Sequence, residues 1–143
     1  MSPKENELAL TIVQKMMLEN DAFSLWLDVK LLQVAPGYCK ITCPVRSEMT
    51  NGFKIAHGGI TYSLADSALA FASNAHNIKA VSVETSISHT KKVVEHDVLT
   101  AICMEKNLSS RFGIYEVIVK NQREETVALF KGTVFRTGEK WID

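Results

Sequence analysis

This 143-residue sequence contains little proline, no long apolar run and no excess of charge of either sign. Its 16 basic residues are balanced by 16 acidic ones, so we expect neither nucleic acid nor an anionic membrane as a partner. No apolar stretch is long enough to cross a bilayer, and the charged N-terminus lacks the apolar core of a signal peptide. No proline follows Pro44, so no later strand is excluded by a missing backbone N–H.

Cysteine is also rare, with Cys39, Cys43 and Cys103 as the three examples, each in an alternating apolar segment. An odd number in such segments predicts free thiols in a reducing compartment, and we expect a cytoplasmic protein. Hydrophobic residues make up 46% of the chain and charged residues 22%, which is enough to bury a core. At this length we expect one domain over residues 1–143.

A helix is predicted near the N-terminus, over about residues 3–20. Ser2 and Glu5 have the spacing of a capping box, and apolar residues from Leu8 to Met16 recur at helical spacing. The apolar segment that follows, 23–27, is expected to pack against the body of the protein.

Six further segments alternate as strands do, and polar or Pro-Gly turns separate them. The first two are expected to form a hairpin, and the last four an antiparallel meander. Residues 46–56, between the second and third segments, are predicted to be a loop. The predicted strands are 29–34, 38–45, 80–90, 97–107, 112–121 and 126–137.

Residues 58–76 have apolar side chains on nearly every side of a helix and include no Lys, Arg or Glu. Such a helix must be buried, and in a chain this short only the sheet can cover it. The order of elements therefore predicts an α+β hot-dog fold, in which a long antiparallel sheet wraps around a central helix. The N-terminal helix precedes this core of about residues 27–138.

A group of polar residues and glycines surrounds the start of the central helix: Asn51, the triplet His57-Gly58-Gly59, and Asp66 within Ser63-Leu-Ala-Asp-Ser67. Val81-Ser82-Val83 and the tail 127–136 follow downstream. With these residues the chain resembles the PaaI-type hot-dog thioesterases of the phenylacetate pathway, which hydrolyse acyl-CoA esters. The resemblance runs from about residue 23 to 138 and implies an acyl-CoA thioesterase that needs no cofactor.

The resemblance also implies a role for each residue of this group. The backbone N–H of Gly58 would point at the thioester carbonyl, and Asn51 and His57 would help to place that group. Asp66 would act as general base or nucleophile. Ser82 would hold the attacking water, as a serine on this strand does in some members.

The chemistry of thioester hydrolysis suits these residue types. Free N–H groups in the first turn of a helix can meet the negative charge that develops on the carbonyl oxygen. Glycine at positions 58 and 59 lets the acyl group approach the backbone closely. Asp66 is the only charged side chain in an apolar helix, and a buried carboxylate without a partner is costly, so it needs a partner, water or a catalytic role.

The spacing of Gly58 and Asp66 makes a shared site within one chain difficult. Asp66 lies eight residues beyond Gly58, roughly 12 Å along the helix. A base and an oxyanion donor must both lie within roughly 3 Å of the reacting group. Antiparallel pairing of two helices about a two-fold axis would bring Asp66 of one subunit to Gly58 of the other. We therefore expect a homodimer, assembling further to a homotetramer, with active sites at the dimer interface.

Further substrate contacts are predicted at Gly59 and at three cations, Lys91, Lys92 and Arg111, which could meet the phosphates of CoA. The plainer interpretation of Lys91 and Lys92 is that they are solvated loop lysines.

One segment departs from the family pattern, since family members commonly carry Pro and Gly-Asp where this chain has Lys91 to Asp97. His96 replaces the usual glycine, so we expect a different backbone geometry in that turn. His76, His89 and His96 match no common zinc spacing, and no metal is expected.

Plainer interpretations stand beside each of these roles. His57 could cap the helix, Asn51 could be a turn residue beside Gly52, Asp66 a structural carboxylate, and Ser82 part of an ordinary polar strand face. Two other functions also fit: a hot-dog hydratase or dehydratase that pairs His57 with Asp66, and a non-catalytic acyl-CoA binding module. Release of free thiol would separate hydrolysis from both.

Overall fold

A computed structural model describes all residues from 1 to 143, beginning with helix α1 at Pro3–Leu10. The predicted capping box is present, since Ser2 Oγ accepts from Glu5 N at 3.2 Å and Glu5 Oε2 accepts from Ser2 N at 2.7 Å. The helix continues as a π-helical segment, Thr11–Met17, and a 3₁₀ turn, Leu18–Asn20, so the predicted span of 3–20 is confirmed.

The buried face of the N-terminal helix differs slightly from the predicted stripe. Leu8 and Met16 are half-buried, whereas Ala9 and Val13 are fully buried together with Ile12. The π-helical segment contains more residues per turn than an α-helix, and this rotates the apolar side chains relative to the spacing we assumed.

The segment after this helix is a short helix, α2 (Ala22–Trp26), and not a buried link. Asp21 caps it by accepting from Ser24 N at 3.0 Å. Leu27 is fully buried, but the side chains before it that we expected to pack are about half exposed. These exposed side chains are Phe23, Leu25 and Trp26.

All six predicted strands are present: β1 (Lys30–Ala35), β2 (Tyr38–Pro44), β3 (Ile78–His89), β4 (Val98–Leu108), β5 (Phe112–Lys120) and β6 (Thr126–Lys140). They form one antiparallel sheet in the order β1-β2-β4-β5-β6-β3. The hairpin of β1 and β2 and the meander of β4, β5 and β6 are as predicted.

The position of β3 differs from the prediction of a four-stranded meander, because β3 pairs with β6 and not with β4. The connection between β3 and β4 does not close a hairpin, since it hydrogen bonds to the segment before the central helix. Ala56 N donates to Val93 O at 2.7 Å, and His96 N donates to Val45 O at 2.9 Å. As a result β3 forms one edge of the sheet and passes the start of the central helix.

The sheet wraps around helix α3, which spans Gly58–Asn74 and ends two residues before the predicted limit. Its apolar residues are buried against the sheet, as a helix without an exposed face requires. The sheet approaches the helix closely at Gly132 of β6, where a Cβ would lie 2.4 Å from Leu69 Cδ2. The predicted α+β hot-dog arrangement is therefore confirmed.

Two further sequence expectations concern cysteines and membranes. Cys39, Cys43 and Cys103 are all free and buried in the core, and burial raises the pKa of each thiol. No helix is both long enough and apolar enough to cross a membrane.

Candidate active site

Two cavities lie along α3, one at its first turn and one beside its middle. We call them the Gly58 cavity and the Asp66 cavity. The first measures about 390 Å³ and the second about 270 Å³, which is near or below the lower limit of about 300 Å³ for a pocket that binds a small molecule. The Gly58 cavity is lined by Asn51, Ile55, Ala56, Gly58, Thr61, His89, Thr90, Lys91, Lys92 and Val93. The Asp66 cavity is lined by Asp66, Leu69, Ala70, Ser73, Ala80, Val81, Ser82 and Val134.

The start of α3 presents a free backbone donor at Gly58. His57 is the N-cap residue, and its Nδ1 accepts from Gly59 N at 2.9 Å. No protein group accepts from the N–H of Gly58. Gly58 therefore offers a donor to the cavity, while the N–H of Gly59 is already bonded. His57 therefore caps the helix, as the simpler of its two interpretations predicts.

Asn51 lies in a turn and also faces the Gly58 cavity. Its Oδ1 accepts from Phe53 N at 2.9 Å, and its backbone N donates to Ile55 O at 2.8 Å. Because the backbone N–H of Phe53 fixes which side-chain atom is the oxygen, the Nδ2 group is the one left without a protein partner. Asn51 thus combines the turn role with an available donor in the cavity.

Of the three predicted cations, the two lysines reach the Gly58 cavity and Arg111 does not. Lys91 forms an ion pair with Glu125, which also accepts from Arg123 Nε at 2.6 Å, and these contacts lower the pKa of Glu125 to about 2. No ion pair involves Lys92. Arg111 lies in the β4–β5 turn, where its carbonyl accepts from Arg136 N at 2.7 Å.

Asp66 is half-buried in its own cavity, and its carboxyl group forms no hydrogen bond or ion pair with another residue. Burial raises the pKa of this carboxyl, and no neighbouring charge or hydrogen bond offsets the effect. A carboxyl in such a site is a candidate general base, because a raised pKa brings its proton affinity closer to that required near neutral pH. The alternative of a structural carboxylate held by donors within the chain does not match these surroundings.

Ser82 lies in the same cavity as Asp66, on β3. The strand pairs it with Val134 of β6, close to a bulge between Ser82 and Glu84. The structure therefore brings Ser82 to Asp66, and it separates both from Asn51 and Gly58.

Among the residues of the Gly58 cavity that were not predicted, His89 and Thr61 make a polar contact with each other. His89 ends β3, and its Nε2 would lie 3.2 Å from a Cβ at position 58. Its Nδ1 is 3.3 Å from Thr61 Oγ1, and that hydroxyl donates to Gly58 O at 3.2 Å. The sequence contains no signal for this contact, because it depends on the position of β3. No group of three or more His, Cys, Asp or Glu lies close enough together to hold a metal ion.

The turn at His96 is the segment where we expected a backbone geometry different from the family's. His96 has φ +74°, in the left-handed region that glycine favours. Asp97 holds the turn, because Oδ2 accepts from Val94 N at 3.0 Å and Oδ1 accepts from Gln122 Nε2 at 2.9 Å. A histidine in this backbone region carries local strain.

Comparison with known proteins identifies the family of this chain. The family model of the Thioesterase superfamily matches residues 53–128. A putative esterase of Archaeoglobus fulgidus is 39% identical over 89% of this chain and 82% of its own length. Acyl-coenzyme A thioesterase PaaI of Escherichia coli is 34% identical over 85% of this chain and 87% of its own length.

Solved structures agree with the sequence relatives. The structure of the E. coli PaaI protein has a TM-score of 0.92 at 32% identity, covering 94% of this chain and 97% of that one. A Streptococcus mutans protein bound to acetyl-CoA has a TM-score of 0.76 at 25% identity, covering 78% of this chain and 90% of that one. With a family model over more than half of its length and relatives above 30% identity, this chain belongs to the thioesterase superfamily.

Proposed function

We propose that this thioesterase hydrolyses acyl-CoA esters to a free acid and CoA, in active sites that two subunits share. The observation that carries the proposal is that the chain contains both a free backbone N–H donor, at Gly58, and a side-chain carboxylate without a partner, at Asp66. The name of the E. coli relative and the acetyl-CoA bound to the S. mutans protein support CoA as the thiol part of the substrate.

The carbonyl oxygen of the thioester accepts from Gly58 N–H and from Asn51 Nδ2. These donors, together with the positive end of the α3 dipole, stabilise the negative charge that develops during attack. Asp66 of the partner subunit removes a proton from water, or attacks the carbonyl carbon directly, and Ser82 beside it orients the nucleophile. His57 acts indirectly, because its ring accepts a hydrogen bond from the N–H of Gly59 and so fixes the first turn of α3.

The need for two subunits follows from the geometry within one chain. Gly58 and Asp66 line different cavities and are separated by roughly 12 Å of helix. The edge strand β3 offers a surface for pairing, since it bonds to β6 on one side only and Val81 and Val83 are each 57% exposed. An unpaired edge with apolar side chains favours association with a second strand. A two-fold dimer through β3 would set two α3 helices antiparallel and complete two sites.

Lys92 is the cation best placed to meet a phosphate of CoA, because Lys91 is occupied by Glu125. Arg111 could contribute only from another subunit. A homotetramer would follow if two dimers pack through the apolar side chains on the outer face of the sheet, which include Leu129 and Ile118. The three reduced core cysteines suit the cytoplasm.

The test is thiol release from a panel of short, long and aromatic acyl-CoAs, measured for the wild type and for Asp66→Asn. We expect the variant to lose at least about 100-fold in kcat, as removal of a general base does. Asp28→Asn is the matched control, because it makes the same chemical change at an exposed residue whose φ of +60° asparagine tolerates.

Unchanged turnover by Asp66→Asn would contradict the assignment. Hydration of the acyl chain without thiol release would indicate a hydratase. Saturable binding without any reaction would indicate a binding module.

A further inference from the structure

His89 is the one histidine in the lining of the Gly58 cavity, and the proposed reaction leaves it without a role. Its ring stands over Gly58: a Cβ there would lie 3.2 Å from His89 Nε2 and 3.4 Å from its Cε1. The absence of a side chain at position 58 therefore makes room for this imidazole as well as for the substrate. Nε2 is the ring nitrogen nearest to the position that a Cβ on Gly58 would occupy.

Thr61 contacts Nδ1 of His89 and determines which nitrogen of the neutral ring carries the proton. Its Oγ1 lies 3.2 Å from Gly58 O and 3.3 Å from His89 Nδ1, and a hydroxyl has a single proton to donate. When Thr61 donates to Gly58 O, His89 donates from Nδ1, and Nε2 of the neutral ring carries a lone pair. When Thr61 turns its proton to Nδ1, Nε2 carries the proton. Rotation of one hydroxyl thus lets the neutral ring present either a donor or an acceptor at Nε2.

The position of His89 along the cavity indicates which atom of the substrate it meets. If the carbonyl oxygen lies at Gly58 N–H and Lys92 meets a phosphate of CoA, as proposed above, the CoA chain runs from the sulfur toward Lys92. The segment from His89 through Thr90 to Lys92 lines the same cavity. The sulfur is the first atom of the CoA part, so it passes closest to the imidazole.

We propose that His89 is a further catalytic residue, which donates a proton from Nε2 to the sulfur of the departing CoA. This inference rests on the proposed function. Water oxygen forms the new bond to the carbonyl carbon, and one water proton passes to the carboxylate of the partner's Asp66. The carbon–sulfur bond breaks, its electron pair stays on sulfur, and the proton from Nε2 of the doubly protonated ring makes the free thiol. The ring that remains is neutral and keeps its proton on Nδ1, the arrangement in which Thr61 donates to Gly58 O. The partner's Asp66 then releases its proton to solvent, solvent reprotonates Nε2, and the carboxylic acid product ionises.

Varying the leaving group tests this role. The acyl chain that wild type releases fastest from CoA is also coupled to 4-nitrothiophenol, whose thiolate is stable enough to leave without a proton. We expect His89→Gln to lower kcat/KM for the acyl-CoA by about 10- to 100-fold, at or below the lower end of general-acid effects because thiols are already acidic. For the 4-nitrophenyl thioester the loss is expected to be several-fold smaller.

His96→Asn is the matched control, since it also removes an imidazole but lies on the exposed turn, at a φ that asparagine tolerates. Thr61→Val should reproduce part of the His89→Gln effect on the acyl-CoA, while Thr61→Ser, which keeps the hydroxyl, should restore activity. Thermal unfolding and size-exclusion profiles verify that each variant folds and assembles as wild type does.

Equal losses on both esters, or no loss, would overturn the proposal for His89. That result differs from failure of the proposed function, which would appear as turnover by Asp66→Asn or as no thiol release from any acyl-CoA. If Asp66→Asn is inactive and His89→Gln is not selective for the leaving group, the hydrolase assignment stands without a proton donor at His89.

Discussion

At the scale of single residues, Asp66 illustrates how a residue proposed for catalysis can be costly to the fold. Its carboxyl has no partner within the chain, and burial raises its pKa above the ordinary 3.8. The folded state therefore holds this proton more tightly than the unfolded state does. Folding stability decreases as the pH rises from 3.8 through the higher folded value, and the penalty is complete above that value.

Asp66→Asn should accordingly raise the urea midpoint of unfolding at pH 7 while it abolishes turnover. At a pH below 3.8 both proteins carry a neutral side chain at position 66, so the difference in midpoint should shrink. Urea titrations at the two pH values measure the effect. A lower midpoint for the variant at pH 7 would mean that the ionised carboxylate stabilises the fold.

The same raised pKa predicts how the rate depends on pH. Because the base must be ionised, kcat/KM should decrease as the pH falls through the pKa of Asp66, and this limb should lie above the range of an ordinary aspartate. A pH series of thiol release checks it. A limb near 3.8 would show that the dimer or the substrate restores an ordinary titration.

Gly58→Ala is predicted to lower kcat/KM by about tenfold or more while the fold persists. The added Cβ would meet the ring of His89 at 3.2 Å and intrude on the free N–H, although the N–H itself remains. Gly52→Ala is the control, since a Cβ there meets nothing within 4 Å. Thiol-release kinetics on both variants decide the matter, and equal rates would place the thioester elsewhere.

At the scale of elements, the turn before β4 contains a residue in the left-handed backbone region, His96, that is not a glycine. A non-glycine residue in this region costs of order 1–3 kcal/mol. We predict that His96→Gly stabilises the protein by up to about 1 kcal/mol, because glycine relieves the strain but adds freedom to the unfolded chain. Chemical denaturation measures the change. A loss of stability would indicate that the imidazole makes a contact worth more than the strain.

The packing of α3 on β6 depends on Gly132. A Cβ at this position would lie 2.4 Å from Leu69 Cδ2, so Gly132→Ala must push the helix from the sheet or move Leu69 off its rotamer. Overpacking of this kind typically costs about 1–3 kcal/mol. We expect a lower melting temperature, measured beside Gly52→Ala, whose stability should stay near that of wild type.

At the scale of the whole molecule, a shared active site predicts complementation between two inactive variants. Asp66→Asn removes the carboxylate half, and Gly58→Val fills the other half with a side chain. In a hybrid dimer one site carries both defects and the other carries neither. Random mixing makes half of the dimers hybrid, so coexpression should recover about a quarter of wild-type activity.

Thiol release from the coexpressed mixture, against each variant alone, measures the recovery. If the site were contained in one chain, every chain would carry a defect and the mixture would stay inactive.

The features that could be predicted from sequence are those fixed by contacts close along the chain. The capping box of Ser2 and Glu5, the buried helix from Gly58 and the separation of Gly58 from Asp66 depend on the helical rise and on apolar periodicity. Simple alternation likewise located all six strands.

What only the tertiary structure decided is which distant segments meet. The pairing of β3 with β6 places His89 over Gly58 and Ser82 beside Asp66, and it brings Glu125 to Lys91. Strand alternation identifies the buried face of each strand but contains no information on its neighbour. The sequence by itself therefore determined the elements and the two proposed half-sites, at the first turn and the middle of α3. The order of strands, which depends on how non-local surfaces bury one another, decided which side chains complete each half-site.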